Sequence, residues 1–394
     1  MPVATTWRAP LAAAAVLSLI GTSIAAGAGG TVRAPLLGVM GVSGQHFGAE
    51  RRAGVGAVTL DAAWSSAEPA PSRFSARYAR SLQHRVAAAV AAGFEVILDP
   101  GLQYAPSWVF ALGGTTRFVD QYGDTFTGAP GSGNDVANGV GDSAVRAAEG
   151  TYLRYLGRLF SAGELYAVRA GGGPLGELRY PGATYHGHGD CYWGYTTRPT
   201  GHDPSAPWVP GTGTPAQAAQ FLDRYDAALV RYAQWLDRVT YLDFDTTVVL
   251  LLPGWGERPG VATAEVASLL TLPFDEFNQG LDWTDLLGAL PEPAHTVAYT
   301  TYLDAPPDTA DPANVVPADF LASLATADHL ALGGENTGDG TVADLQLSLQ
   351  RAATLGFTLV EWMDEAQLVA SSGPRHAPGP SFAELAAARR AAFG

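Results

Sequence analysis

Two glutamates stand where a carboxyl group could act on a bound substrate. Glu177 lies in the run Gly171-Gly172-Gly173-Pro174-Leu175-Gly176-Glu177-Leu178-Arg179-Tyr180-Pro181, whose glycines let the backbone turn sharply and approach a ligand closely. Glu335 lies in Gly333-Gly334-Glu335-Asn336-Thr337-Gly338, directly after the apolar run His329–Leu332. Two carboxyl groups facing across a cleft are what glycosidic cleavage needs: one protonates the leaving oxygen, and the other attacks the sugar or activates water. The expected catalytic pair is therefore Glu177 and Glu335. The ordinary alternatives are a Glu177–Arg179 ion pair and a helix-capping or Arg-paired Glu335.

Other side chains fit substrate binding. Asp61 and Trp64 follow the second apolar run, and Arg179, Tyr180 and Asn336 flank the two glutamates. Asp304, after the sixth run, is a candidate sugar contact and an alternative base. Glu257 fits a pair with Arg258, and one of Glu361, Asp364 and Glu365 is expected to line the site. Sugar rings pack their CH faces on indoles, so Trp193, Trp255 and Trp362 are expected as platforms. His186, His188 and Asp190 have metal-ligand chemistry, but glycine spacers separate them. His186 is read as a sugar contact, with neither metal nor cofactor called for.

These residues need a frame. Continuous apolar runs at Leu36–Val42, Ala57–Leu60, Glu95–Leu98, Leu165–Arg169, Thr247–Leu252, Thr296–Thr300, His329–Leu332 and Thr358–Val360 alternate with amphipathic helical stretches. That pattern predicts βα units and strands covered on both faces. Helix ends are marked by Ser75, by Thr214-Pro215, by Thr341 with Asp344, and by Ser381 with Glu384. Eight units predict a single (β/α)₈ barrel over residues 29–394, a doubly wound open sheet being the alternative. The long segments Pro100–Asp142, Gly171–Gly213 and Leu303–Pro317 all follow strands, which puts them on the C-terminal face of a barrel.

Composition removes several chemistries. All 23 basic residues are Arg, which excludes a lysine Schiff base and a Walker-type phosphate loop. A net charge of −15 argues against nucleic acid, and the lone Cys191 excludes an intrachain disulfide. Arg8, the apolar Leu11–Ile20 and Ala26-Gly27-Ala28 read as a signal peptide over residues 1–28 and hence as export, an uncleaved anchor being the alternative.

The segment Gly173–Pro181 closely resembles the β-amylase signature, in which the Glu is the general acid. Gly54–Trp64 resembles that family's second strand, whose Asp contacts substrate, and Asn134-Asp135 through Gly141-Asp142 follow in its order. The likeness covers roughly residues 36–181. Farther on, Gly334-Glu335-Asn336 resembles a later β-amylase segment. A Glu after strand seven is also where bacterial β-galactosidase-like barrels keep their nucleophile, and Trp64 with Glu68-Pro69 looks like that group. The resemblance implies a secreted glycoside hydrolase acting on an oligo- or polysaccharide, with Glu177 as acid/base and Glu335 as nucleophile or base. Tyr299–Asp304 contains no Glu, so Asp304 is the base in an inverting, β-amylase-like alternative. A carbohydrate-binding barrel without turnover is the non-enzymatic alternative.

Overall fold

Side chains along a strand alternate between its two faces, so a strand buried on both sides serves two cores. In the computed structural model the eight strands β1 (Leu36–Val39), β2 (Ala57–Asp61), β3 (Glu95–Asp99), β4 (Ala167–Ala170), β5 (Thr247–Leu252), β6 (Thr296–Thr300), β7 (Ala331–Glu335) and β8 (Leu359–Trp362) do this. One set, including Ala57, Ile97, Ala167, Val249, Leu251, Val297, Tyr299 and Leu359, fills the barrel interior. The intervening set, including Val58, Leu98, Val168, Leu250, Ala298 and Val360, joins the larger core that holds the surrounding helices. Every neighbouring pair is parallel and β8 returns to β1, closing a (β/α)₈ barrel rather than an open sheet. The structure describes residues 34–128, 135–195, 208–258, 260–307, 315–338, 340–373 and 377–394. The expected signal peptide lies outside them.

The helix signals act where their chemistry predicts. Ser75, Thr214, Thr341 and Ser381 each accept a hydrogen bond from the first turn of their helix. Thr214, Thr341 and Ser381 complete capping boxes with Gln217, Asp344 and Glu384. Only β5 and β6 keep their expected bounds, and the differences in β7, β1 and β8 have local causes or consequences. His329 is not in β7; at φ 59° it terminates the helix Pro317–Asp328. β1 stops at Val39, with the chain turning through Gly41 at φ 66°. β8 runs on to Trp362, which makes Glu361 a strand residue rather than a loop residue. Among the described residues, no helix is long and apolar enough to cross a membrane.

Candidate active site

The C-terminal mouth of the barrel opens into a cleft of about 540 Å³ lined by both expected glutamates. Glu177 reaches it on a loop that only glycine can build. An added Cβ would stand 1.9 Å from Gly176 O at Gly171, and 2.3 Å from Arg179 O at Gly173. Gly173 N donates to Glu177 O at 2.7 Å, and Leu178 N donates to Leu251 O at 2.9 Å, tying the loop to β5. The Glu177 carboxylate accepts from Arg179 Nε (2.7 Å) on Oε2 and from Thr301 Oγ1 (2.9 Å) on Oε1. The Arg179 ion pair is therefore present, and it sits inside the cleft rather than on the outer surface.

Glu335 is the last residue of β7, directed inward by the strand alternation. Its Oε2 accepts from Arg169 Nη1 and Nη2 and from Tyr299 OH, each at 2.9 Å, which leaves Oε1 outside these bonds. Burial pushes the Glu335 carboxyl up to about 7, against the pull of Arg169 and with a further push from Glu361. Sequence reading did not single out Arg169 or Tyr299. A charge inside the apolar strand Ala167-Val168-Arg169-Ala170, in phase with Ala167, is the signal that could have found Arg169.

Three further groups complete the cleft. Asp99 and Tyr104 come from the end of β3 and its loop; Asp275, Glu276 and Gln279 come from the excursion after β5; Thr301 and Tyr302 follow β6. None was expected. Asp99 is placed by the register of β3; the others are brought in by the loop path, so their spacing carries no periodic signal. Asp61 ends β2 directly beside Asp99 in the parallel register. It is exposed at the mouth, and the surrounding protein together with Asp99 raises it to about 6.

Of the other expected contacts, Arg179, Trp255 and Asn336 line the cleft. Asn336 spends its amide on Met363, accepting from Met363 N at 2.7 Å and donating to Met363 O at 2.8 Å, and so joins the loops after β7 and β8. Four expected contacts are packing residues instead. Trp64 is fully buried, stacked on Tyr152 at 5.4 Å, with its indole N–H on Glu68. Tyr180 stacks on Tyr225 at 4.0 Å, and Trp193 packs edge-on against Phe126 and Tyr185. Trp362 faces the helices because Glu361 takes the inward phase of β8, and its N–H is bonded to Gln367. His186 lies outside the cleft, with its ring stacked on Tyr185 and its Nδ1 3.5 Å from Asp124. Asp304 is likewise outside the lining. Thr337 donates to both of its carboxylate oxygens, so Asp304 anchors the loop after β7. Asp364 caps the helix Glu365–Ser372, and Glu365 holds Ser43 N at 2.8 Å.

Comparison with known proteins gives fold relatives only. No protein-family model and no curated protein matches the sequence. Among solved structures, the chain is similar to the catalytic domain of β-amylase from Paenibacillus polymyxa (TM-score 0.64, 16% identity), over 90% of this chain and 98% of that one. It is also similar to β-galactosidases from the psychrophilic Marinomonas ef1 (TM-score 0.60, 12% identity) and from Halorubrum lacusprofundi (TM-score 0.58, 13% identity). Those matches cover 90% of this chain in each case, and 59% and 57% of the two β-galactosidases. The likeness to both groups holds at the level of the barrel.

Proposed function

We propose that the protein is a hydrolase of O-glycosidic bonds in an oligo- or polysaccharide. The observation that carries this reading is one cleft to which the loop after β4 brings Glu177 and the end of β7 brings Glu335, with Arg169 and Tyr299 bonded to the second. Glu177 acts as the acid: its proton passes to the glycosidic oxygen as the bond from that oxygen to the anomeric carbon breaks. Glu335 supplies the other half of the reaction. In a retaining course its free Oε1 attacks the anomeric carbon, and water, deprotonated by Glu177, then releases the sugar; in an inverting course Glu335 takes a proton from the attacking water. Arg169 and Tyr299 hold Oε2, so the carboxylate keeps one orientation while Oε1 reacts. Trp255 and Tyr302 offer ring faces to sugar, and Arg179 and Gln279 offer donors.

One observation favours the reverse allotment of roles: Glu335 holds its proton up to about 7, whereas Glu177 is bonded to a guanidinium. Leaving-group chemistry separates the two. An aryl glycoside with a very good leaving group needs no acid, so the variant lacking the acid keeps a fast first step on it. Glu177→Ala is expected to retain the release of dinitrophenolate and Glu335→Ala to lose it; the opposite result reverses the roles. Slow release by both variants with normal release by the wild type leaves no acid to assign and overturns the allotment. Export belongs to the same proposal, and a mature N-terminus close to Ala28 in the culture medium is its test.

A further inference from the structure

A second buried carboxylate shares the donors of Glu335. Arg169 Nη1 donates to Glu335 Oε2 at 2.9 Å and to Glu361 Oε2 at 3.1 Å, and Tyr299 OH lies 2.9 Å from both of those oxygens. A phenol has one proton and satisfies one of them at a time. Glu361 is 1% exposed and Glu335 5%, so both carboxyl groups are buried, Glu335 at the floor of the cleft. On its other oxygen Glu361 accepts from Thr59 Oγ1. The site for it is made by Gly38 on β1, where an added Cβ would stand 2.9 Å from Glu361 Cγ. The arrangement is deliberate in the physical sense: a strand-borne glutamate, inward in phase, in a pocket that a larger residue at Gly38 would close.

We infer that Glu361 is a positioning residue that sets the ionisation of Glu335 by competing with it for one guanidinium and one phenol. The inference rests on the reading above for its catalytic meaning. Two carboxylates against one Arg leave one negative charge in excess inside the barrel, which favours the protonated form of Glu335. The groups facing the pair are Thr59 and Asp61 from β2, Asp99 from β3, Arg169 from β4 and Tyr299 from β6. Gly38 on β1 and Leu251 on β5 bring no charge. Arg169 is therefore the cation among the described groups facing the pair. As the pH rises past neutrality that proton leaves, and Glu335 becomes a full carboxylate aimed by Arg169.

The test reads the proton itself and then the rate. Infrared difference spectra between pH 5 and 9 record the carbonyl stretch of protonated carboxyl groups, and the component absent from Glu335→Gln belongs to this pair. In Glu361→Gln the remaining component is expected to titrate lower by about one unit or more, because the like charge is gone. The limb of the kcat profile nearest neutrality is expected to move by the same amount, with the plateau changed far less. A role confined to holding Arg169 and Thr59 would lower the plateau and leave both midpoints in place, which overturns the inference. If Glu361→Gln fails to fold, Glu361→Met serves instead: an uncharged side chain of similar length lowers the midpoint in the same way, and an unmoved midpoint overturns the inference. Normal turnover by Glu335→Gln would sink the proposed function while leaving the infrared result to judge the ionisation of Glu335 on its own.

Discussion

Glu177 and Glu335 both line the cleft, the first bonded to Arg179 and Thr301 and the second to Arg169 and Tyr299. Replacing either by Gln is expected to cut kcat by roughly 10²–10⁴-fold with a much smaller change in KM, as steady-state rates on a hydrolysed glycan would record. Both glutamates were legible in the sequence because each follows a glycine-rich break at the end of an apolar run, whereas the tryptophans were not separable in that way. Aromatic residues near loops serve cores and ligands alike, and only packing distinguishes Trp64, fully buried on Tyr152, from Trp255, partly open in the cleft. Trp64→Ala is expected to lower stability by about 3–5 kcal/mol in denaturant unfolding. Trp255→Ala is expected to raise KM several-fold with the unfolding midpoint unchanged.

At the scale of elements, continuous apolar runs located all eight strands, since a strand buried on both faces is apolar over most of its length. It did not say which phase faces inward. That phase decides the site: Arg169, Tyr299, Glu335 and Glu361 lie on it, and Trp362 lies off it. The in-phase charges within β4 and β8 were the available clue. The excursion after β5 was illegible for a different reason, because Asp275, Glu276 and Gln279 reach the cleft through short helices with no long amphipathic repeat. The loop after β4 supplies a prediction at this scale. Gly171→Ala would press a methyl group against Gly176 O, displacing Glu177 while the barrel stays closed. Activity is expected to fall to near that of Glu177→Gln with far-ultraviolet circular dichroism unchanged.

The whole molecule stores several buried carboxyl groups in their neutral form. Burial raises Glu335 and Glu265 to about 7, and Glu50 and Glu149 to about 8. Such a group binds its proton more tightly folded than unfolded, so its stabilisation is complete below the ordinary value of 4.5 and is lost as pH climbs through 7 to 8. With a net charge of −15 adding repulsion, Tm is expected to be highest near pH 5 and to fall steadily towards pH 9 in thermal scans. A Tm that rises over that range would contradict these assignments. The central claim, that the cleft holding Glu177 and Glu335 breaks glycosidic bonds, is tested most directly by proton NMR of the wild type and both Glu→Gln variants with α- and β-glucans, galactans and arabinans. The account predicts a new anomeric signal from the wild type with at least one glycan, lost in Glu177→Gln and in Glu335→Gln. Undiminished turnover in either variant, or no new signal from any glycan with the folded wild type, would contradict it.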